Sequence, residues 1–184
     1  LLLITLYEVN GDEESLNKSI NLMSEIWNLF YNKDSQFFQK NKVKDNDLFA
    51  SPLDLNDNNI PNGNSVYLYL CNKLYTITSE KIWIERTEIL KKSFHQIINS
   101  FYSQMFSFIK TLDLCNDGIS FTFNGNQNSI KKIKNFLHKD FLGRATFAYN
   151  KSEENGSVVI CKNQTCSSKI SETHDMEDGV VIRY

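Results

Sequence analysis

An excess of charge of one sign is missing from this chain: 20 Lys and Arg face 22 Asp and Glu, for a net charge of −2. The lysines are scattered rather than gathered on one face, so no electrostatic footprint for nucleic acid is expected. Even the densest basic patch, Ser129-Ile130-Lys131-Lys132-Ile133-Lys134, reads as the solvated face of a helix. The opening apolar run, Leu1-Leu2-Leu3-Ile4, is too short to span a bilayer. No basic segment precedes it and no small-residue cleavage site follows, so neither a membrane anchor nor a signal peptide is expected. Cysteine numbers only four, which excludes a disulfide-built scaffold and makes a reducing, cytoplasmic setting the default. Gly-rich phosphate loops, Ser-based elbows and metalloprotease signatures are absent, so no cofactor is expected.

At 184 residues the chain holds one ordinary core, or the end of a larger core with a small appendage. It begins without Met, in apolar residues that read as the middle of an element, and is expected to be a fragment. From Asp12 to Phe30, the residues Leu16, Ile20, Met23, Trp27 and Phe30 recur at steps of three and four, on one stripe of a helix capped by Asp12. Tyr31 to Asn64 loses that period and reads as a long loop with a small strand pair near Phe37-Phe38. The helical period returns with Val66, Tyr67, Leu70, Cys71 and Leu74. Ser79 is placed to cap a further helix carrying Ile82, Trp83, Ile89 and Leu90, which predicts an αα-hairpin. The stripe continues through Phe94 and Met105 to Leu112, with a break near Asn99-Ser100. Such aromatic and Met stripes are read as core, and Cys71 and Cys115 as small core residues. His95 and His138 each sit alone in a helical pattern, without a nucleophile or carboxylate partner.

After Asp117-Gly118 the texture changes to period two. Ile119, Phe121 and Phe123 alternate with polar residues as in a half-buried strand. A helix over Asn128 to His138 follows, then strands over Ala145 to Tyr149 and Ser157 to Ile160; Gly179 to Tyr184 reads as a further strand or as tail. The expected division is therefore a helical part, 1–115, and a small α/β segment, 116–184.

Two motifs carry the most information. In the first, Asp57-Asn58-Asn59-Ile60-Pro61-Asn62-Gly63-Asn64-Ser65-Val66, Pro61 fixes one backbone angle and Gly63 frees another before Asn64 or Ser65 caps a new helix. The second is Cys161-Lys162-Asn163-Gln164-Thr165-Cys166. A zinc site there lacks ligands, since His174 is eight residues beyond and no other pair completes four. A disulfide or redox pair is possible chemistry, although the spacer is not the Cys-x-x-Cys that tunes a reactive thiolate. Two structural thiols at the end of the last strand is the adopted reading, with no metal.

With the aromatic pair Phe37-Phe38, these motifs make the chain resemble the C-terminal part of thioredoxin-domain proteins of the bacterial YyaL and animal spermatogenesis-associated type. That family closes with an aromatic pair, an Asp-x-x-x-Pro-Ser-Gly-Asn-Ser loop, further helices, an α/β segment and Cys-x-Asn-x-x-Cys. The resemblance runs from about Leu3 to Glu172. Ser51 and Leu53 stand where the family has Arg and Lys, Asn62 where it has Ser, and Lys169 where it often has Pro. The missing basic residues weaken any anionic-substrate contact carried over from the family.

The resemblance implies a mainly α fold: the last helical hairpins of an (α/α)6 barrel, similar to those of N-acylglucosamine 2-epimerases, followed by the small α/β segment. It implies a thioredoxin-like domain upstream as a partner in the same protein. A loop between barrel hairpins would open onto the central cavity. Asp57 is then the candidate catalytic residue, accepting a substrate hydroxyl or acting as a base, with Asn64 and Ser65 as candidate substrate-binding residues. Turn-making and capping are the competing roles for these residues. The implied function is binding or processing of a carbohydrate-like small molecule. The alternative is a non-catalytic scaffold supporting the thioredoxin-like domain and docking through the α/β segment.

Overall fold

In a computed structural model, residues 1–42, 52–53, 55–137, 144–152, 156–162, 165–167 and 169–171 are described. The chain divides into two compact units, Leu1–Cys115 and Asn116–Tyr184. The first is helical and the second carries a small mixed sheet, so the fold is mainly α with an α/β segment.

In the first unit, α1 (Leu2–Asn10) ends at Gly11, whose φ of 66° suits a residue without Cβ and whose N–H returns to Tyr7 O. Asp12 then starts α2 (Glu13–Phe30), its carboxylate accepting from the backbone N–H of Glu14 and Ser15. Leu16 and Met23 of the predicted stripe are buried, whereas Ile20, Trp27 and Phe30 are half-buried. A two-residue strand pair follows, β1 (Tyr31–Asn32) against β2 (Phe37–Phe38), with both phenylalanines buried.

The helices α3 (Gly63–Thr78) and α4 (Lys81–Phe101) form the expected hairpin. Two caps differ from expectation. Asn62 caps α3, because its side chain accepts from Ser65 N–H; Asn64 and Ser65 are already inside the helix. Ser79 closes α3 in the left-handed conformation with φ 58°, and Glu80 precedes α4 without a side-chain cap. The break expected near Asn99-Ser100 comes slightly later, as a 3₁₀ turn over Tyr102–Gln104 before α5 (Phe106–Asp117). Phe94 stacks on Phe108 at 4.2 Å and meets Phe37 edge-on at 5.1 Å, so α4, α5 and the strand pair share one core. Lys73 of α3 pairs with Glu8 of α1 at 2.6 Å, both largely buried.

In the second unit, β3 (Ile119–Gly125) shows the predicted alternation of buried and half-buried residues. It lies between β4 (Ala145–Lys151), paired parallel, and β5 (Ser157–Lys162), paired antiparallel. The parallel β3–β4 connection runs through α6 (Gln127–Leu137), which packs Ile130 and Ile133 inward. Lys131 and Lys132 face solvent, while Lys134 bonds Tyr149 Oη at 2.6 Å over the Tyr149 and Phe147 rings. β6 (Thr165–Cys166) and β7 (Ile170–Ser171) both pair with β5. His138 and the segment Gly179 to Tyr184 lie outside the described residues.

Candidate functional site

The Asp57 loop is a chain of hydrogen bonds between two helix starts. Asp57 Oδ2 accepts the backbone N–H of Ser107, in the first turn of α5, at 2.6 Å. Its Oδ1 accepts both the backbone and the side-chain N–H of Asn62, each at 2.8 Å. Asn62 Oδ1 in turn accepts Ser65 N–H at 2.8 Å, and Asp57 N–H reaches Gln104 O at 2.7 Å. One carboxylate thus satisfies a donor that helix geometry leaves orphaned at α5 and orders the residue that does the same for α3. Burial would raise the Asp57 pKa, but the bonds from Ser107 and Asn62 outweigh it and hold the carboxyl below the ordinary value. A carboxylate so held is a weak base.

Asn64 and Ser65 are turned wholly into the fold. Asn64 Oδ1 accepts Phe38 N–H at 2.7 Å and its Nδ2 donates to Phe38 O at 3.1 Å, so one amide takes the place of a neighbouring strand. Ser65 Oγ is buried without a partner. The three residues expected at a cavity mouth are therefore brought together, and the bonds that Asp57 and Asn64 make belong to the fold.

Behind Phe38 stands a cluster that sequence reasoning missed as a site. The Phe38 ring packs on Tyr67 of α3 at 4.4 Å and edge-on to Trp27 of α2 at 5.6 Å. Tyr67 Oη donates to Met23 O at 2.8 Å and accepts from Arg86 Nη1 at 2.9 Å. The Arg86 guanidinium lies 4.7 Å from the Trp27 ring centre and 5.1 Å from that of Trp83, one helical turn before it on α4. Arg86 is 9% exposed, and its Nε and the indole Nε1 of Trp83 are both buried with no partner. Among the described residues no carboxylate pairs with it; Glu8 is engaged by Lys73 and Glu88 by Lys91. Burial pushes the Tyr67 phenol up, Cys71 adding to the rise and Arg86 opposing it. The signal in the sequence was Arg86 on the stripe of Trp83, in a region read only for its apolar residues.

Among the thiols, burial raises Cys71, and it raises Cys115 to about 11, so neither is activated as a thiolate. Cys115 is half-buried rather than core. Cys161 and Cys166 face each other across β5 and β6 and form a disulfide. Their direct opposition in the antiparallel register is what brings them together, a pairing that spacing alone left open. Asn163 and His174 lie outside the described residues. His95 is exposed, its Nδ1 at 2.8 Å from Lys91 O. Among the described residues no group of three or more His, Cys, Asp or Glu gathers to hold a metal, and no helix is long and apolar enough to cross a membrane. Neither protein-family models nor curated proteins give a match to this chain.

Proposed function

We propose that this chain is the closing part of the (α/α)6 barrel and the C-terminal α/β segment of a YyaL-like thioredoxin-domain protein, and that its helical unit binds a carbohydrate-like small molecule. The observation that carries the binding reading is the Trp27–Tyr67–Trp83–Arg86 cluster, where aromatic faces surround a cation and two N–H donors lack acceptors. Aromatic walls with a few convergent polar groups suit a sugar ring and its substituents. In this reading Asp57, Asn62 and Asn64 fix the loop and the strand pair that support the cluster. The protein works in the cytoplasm, where the Cys161–Cys166 bond would be made and broken by the thiol pool. The test is a thermal-shift screen of the full chain against neutral and charged sugars, alongside Trp27→Ala. Saturable stabilisation by one sugar class, lost in the variant, is expected. No shift from a protein that melts cooperatively would overturn it.

One observation favours a second reading, a non-catalytic scaffold for the thioredoxin-like domain. Among the described residues β4 has a single strand neighbour, β3, which leaves a seven-residue edge able to take a partner strand.

A further inference from the structure

We propose, resting on the small-molecule reading above, that the cluster is an oxyanion site: the ligand carries a carboxylate or phosphate, which seats against Arg86 Nε and Trp83 Nε1. A guanidinium stays charged, so Arg86 brings a permanent positive charge into the interior of the helical unit. Its surroundings answer only part of that charge. The Trp27 and Trp83 faces supply quadrupoles, and Tyr67 Oη supplies one lone pair, its proton being given to Met23 O. Among the described residues no carboxylate pairs with Arg86, and the acids whose partners are defined are engaged elsewhere: Glu8 with Lys73, Glu88 with Lys91, and Asp57 with Asn62 and Ser107.

The two orphan donors narrow the chemistry. Indole and guanidinium carry N–H groups and no acceptor, so Trp83 and Arg86 cannot satisfy each other, and what the cluster lacks is acceptor oxygen. A neutral hydroxyl, even one accepting from both donors, would leave the buried charge uncompensated. A carboxylate or phosphate accepts from both donors and neutralises the cation as well. Trp27 on α2, half-buried, is the most exposed member of the cluster.

The chain has two tryptophans, and both lie in the cluster, so occupation can be read from intrinsic fluorescence. The full chain is titrated with glucose, glucuronate and glucose 6-phosphate, following tryptophan emission and melting temperature, and the series is repeated with Arg86→Lys and Arg86→Met. One charged sugar is expected to bind on the order of tenfold or more tighter than glucose, with that preference weakening as salt rises. Preference for glucuronate assigns the carboxylate; preference for glucose 6-phosphate assigns the phosphate. Arg86→Lys keeps the charge but loses the fork, and should reduce the preference, while Arg86→Met should abolish it. Equal binding of glucose and the charged sugars would overturn the oxyanion site and leave the small-molecule reading standing. So would a preference that survives in Arg86→Met. No saturable change with any of the three would overturn both.

Discussion

The Asp57 loop and the Arg86 cluster stand on either side of Phe38, and both put polar side chains into the interior of the helical unit. In the loop, Asp57, Asn62 and Asn64 make hydrogen bonds that join α3, α5 and the strand pair. In the cluster, the bonds run out before the donors do: Arg86 Nε and Trp83 Nε1 end without acceptors. Buried donors are normally paired, because leaving one unpaired costs its full desolvation. Apart from Ser65 Oγ, the loop's buried polar side chains are used by the fold, which makes it architecture. A region that leaves donors unanswered is where we propose that a ligand binds. The bonds of the Asp57 motif thus frame the fold, and the chemistry we propose lies beside it.

The comparison can be broken first at Asn64. Asn64→Ala strands both Phe38 N–H and Phe38 O in the interior, and should cost about 2–5 kcal/mol in urea denaturation. A loss under about 1 kcal/mol would mean that the strand pair does not depend on this amide, and the frame would lose its anchor. Next comes Tyr67, the hinge between the two regions. Tyr67→Phe keeps the ring that packs on Phe38 and removes the hydroxyl shared by Met23 O and Arg86 Nη1. About 1–3 kcal/mol should be lost, and tryptophan emission should change because Arg86 is freed to move over Trp27 and Trp83. Unchanged emission would show that Tyr67 does not hold Arg86.

Asp57 tests the frame through pH. Its folded pKa lies below the ordinary carboxylate value because the bonds from Ser107 and Asn62 outweigh the opposing effect of burial. The stability it contributes is therefore present above the unfolded value, about pH 4, and is lost as pH falls through the depressed folded pKa. Asp57→Asn should be less stable than the parent at neutral pH, and the two should converge below about pH 4. The effect is modest, since Asp57 is only half-buried. A difference that is the same at pH 3 and pH 7 would sink the assignment of these bonds to the ionised form.

Much of the architecture was legible because it rests on periodicity. The stripe from Leu16 to Phe30, the α3–α4 hairpin and the alternation of Ile119, Phe121 and Phe123 follow from apolar spacing, which burial enforces. The caps were read less well, since Asn62, Asn64 and Ser65 are all good N-cap residues and only the observed helix start picks Asn62. The bond from Asp57 to Ser107 spans 50 residues and could not be read locally. The cluster was hidden for a similar reason. Trp27, Tyr67 and Trp83 sit on separate helices and each looks like core in its own stripe; only their meeting around Arg86 sets the proposed site apart. The disulfide needed the β5–β6 register, which places Cys161 opposite Cys166.

The smallest effect is expected at Ser65, next to the residue with the largest. Asn64 and Ser65 are equally buried, so apolar area alone would rank their substitutions by size. Hydrogen bonding separates them further: Asn64 serves two backbone groups, whereas Ser65 Oγ has no partner and only its backbone N–H is used, by Asn62 Oδ1. Ser65→Ala removes a desolvated hydroxyl and keeps that cap bond, so stability should change by less than about 0.5 kcal/mol or rise slightly. Measured in the same denaturation series as Asn64→Ala, a near-zero value would place the boundary of the frame between two adjacent residues. A loss above about 1 kcal/mol would give the Ser65 hydroxyl a partner, and would extend the frame into the first turn of α3.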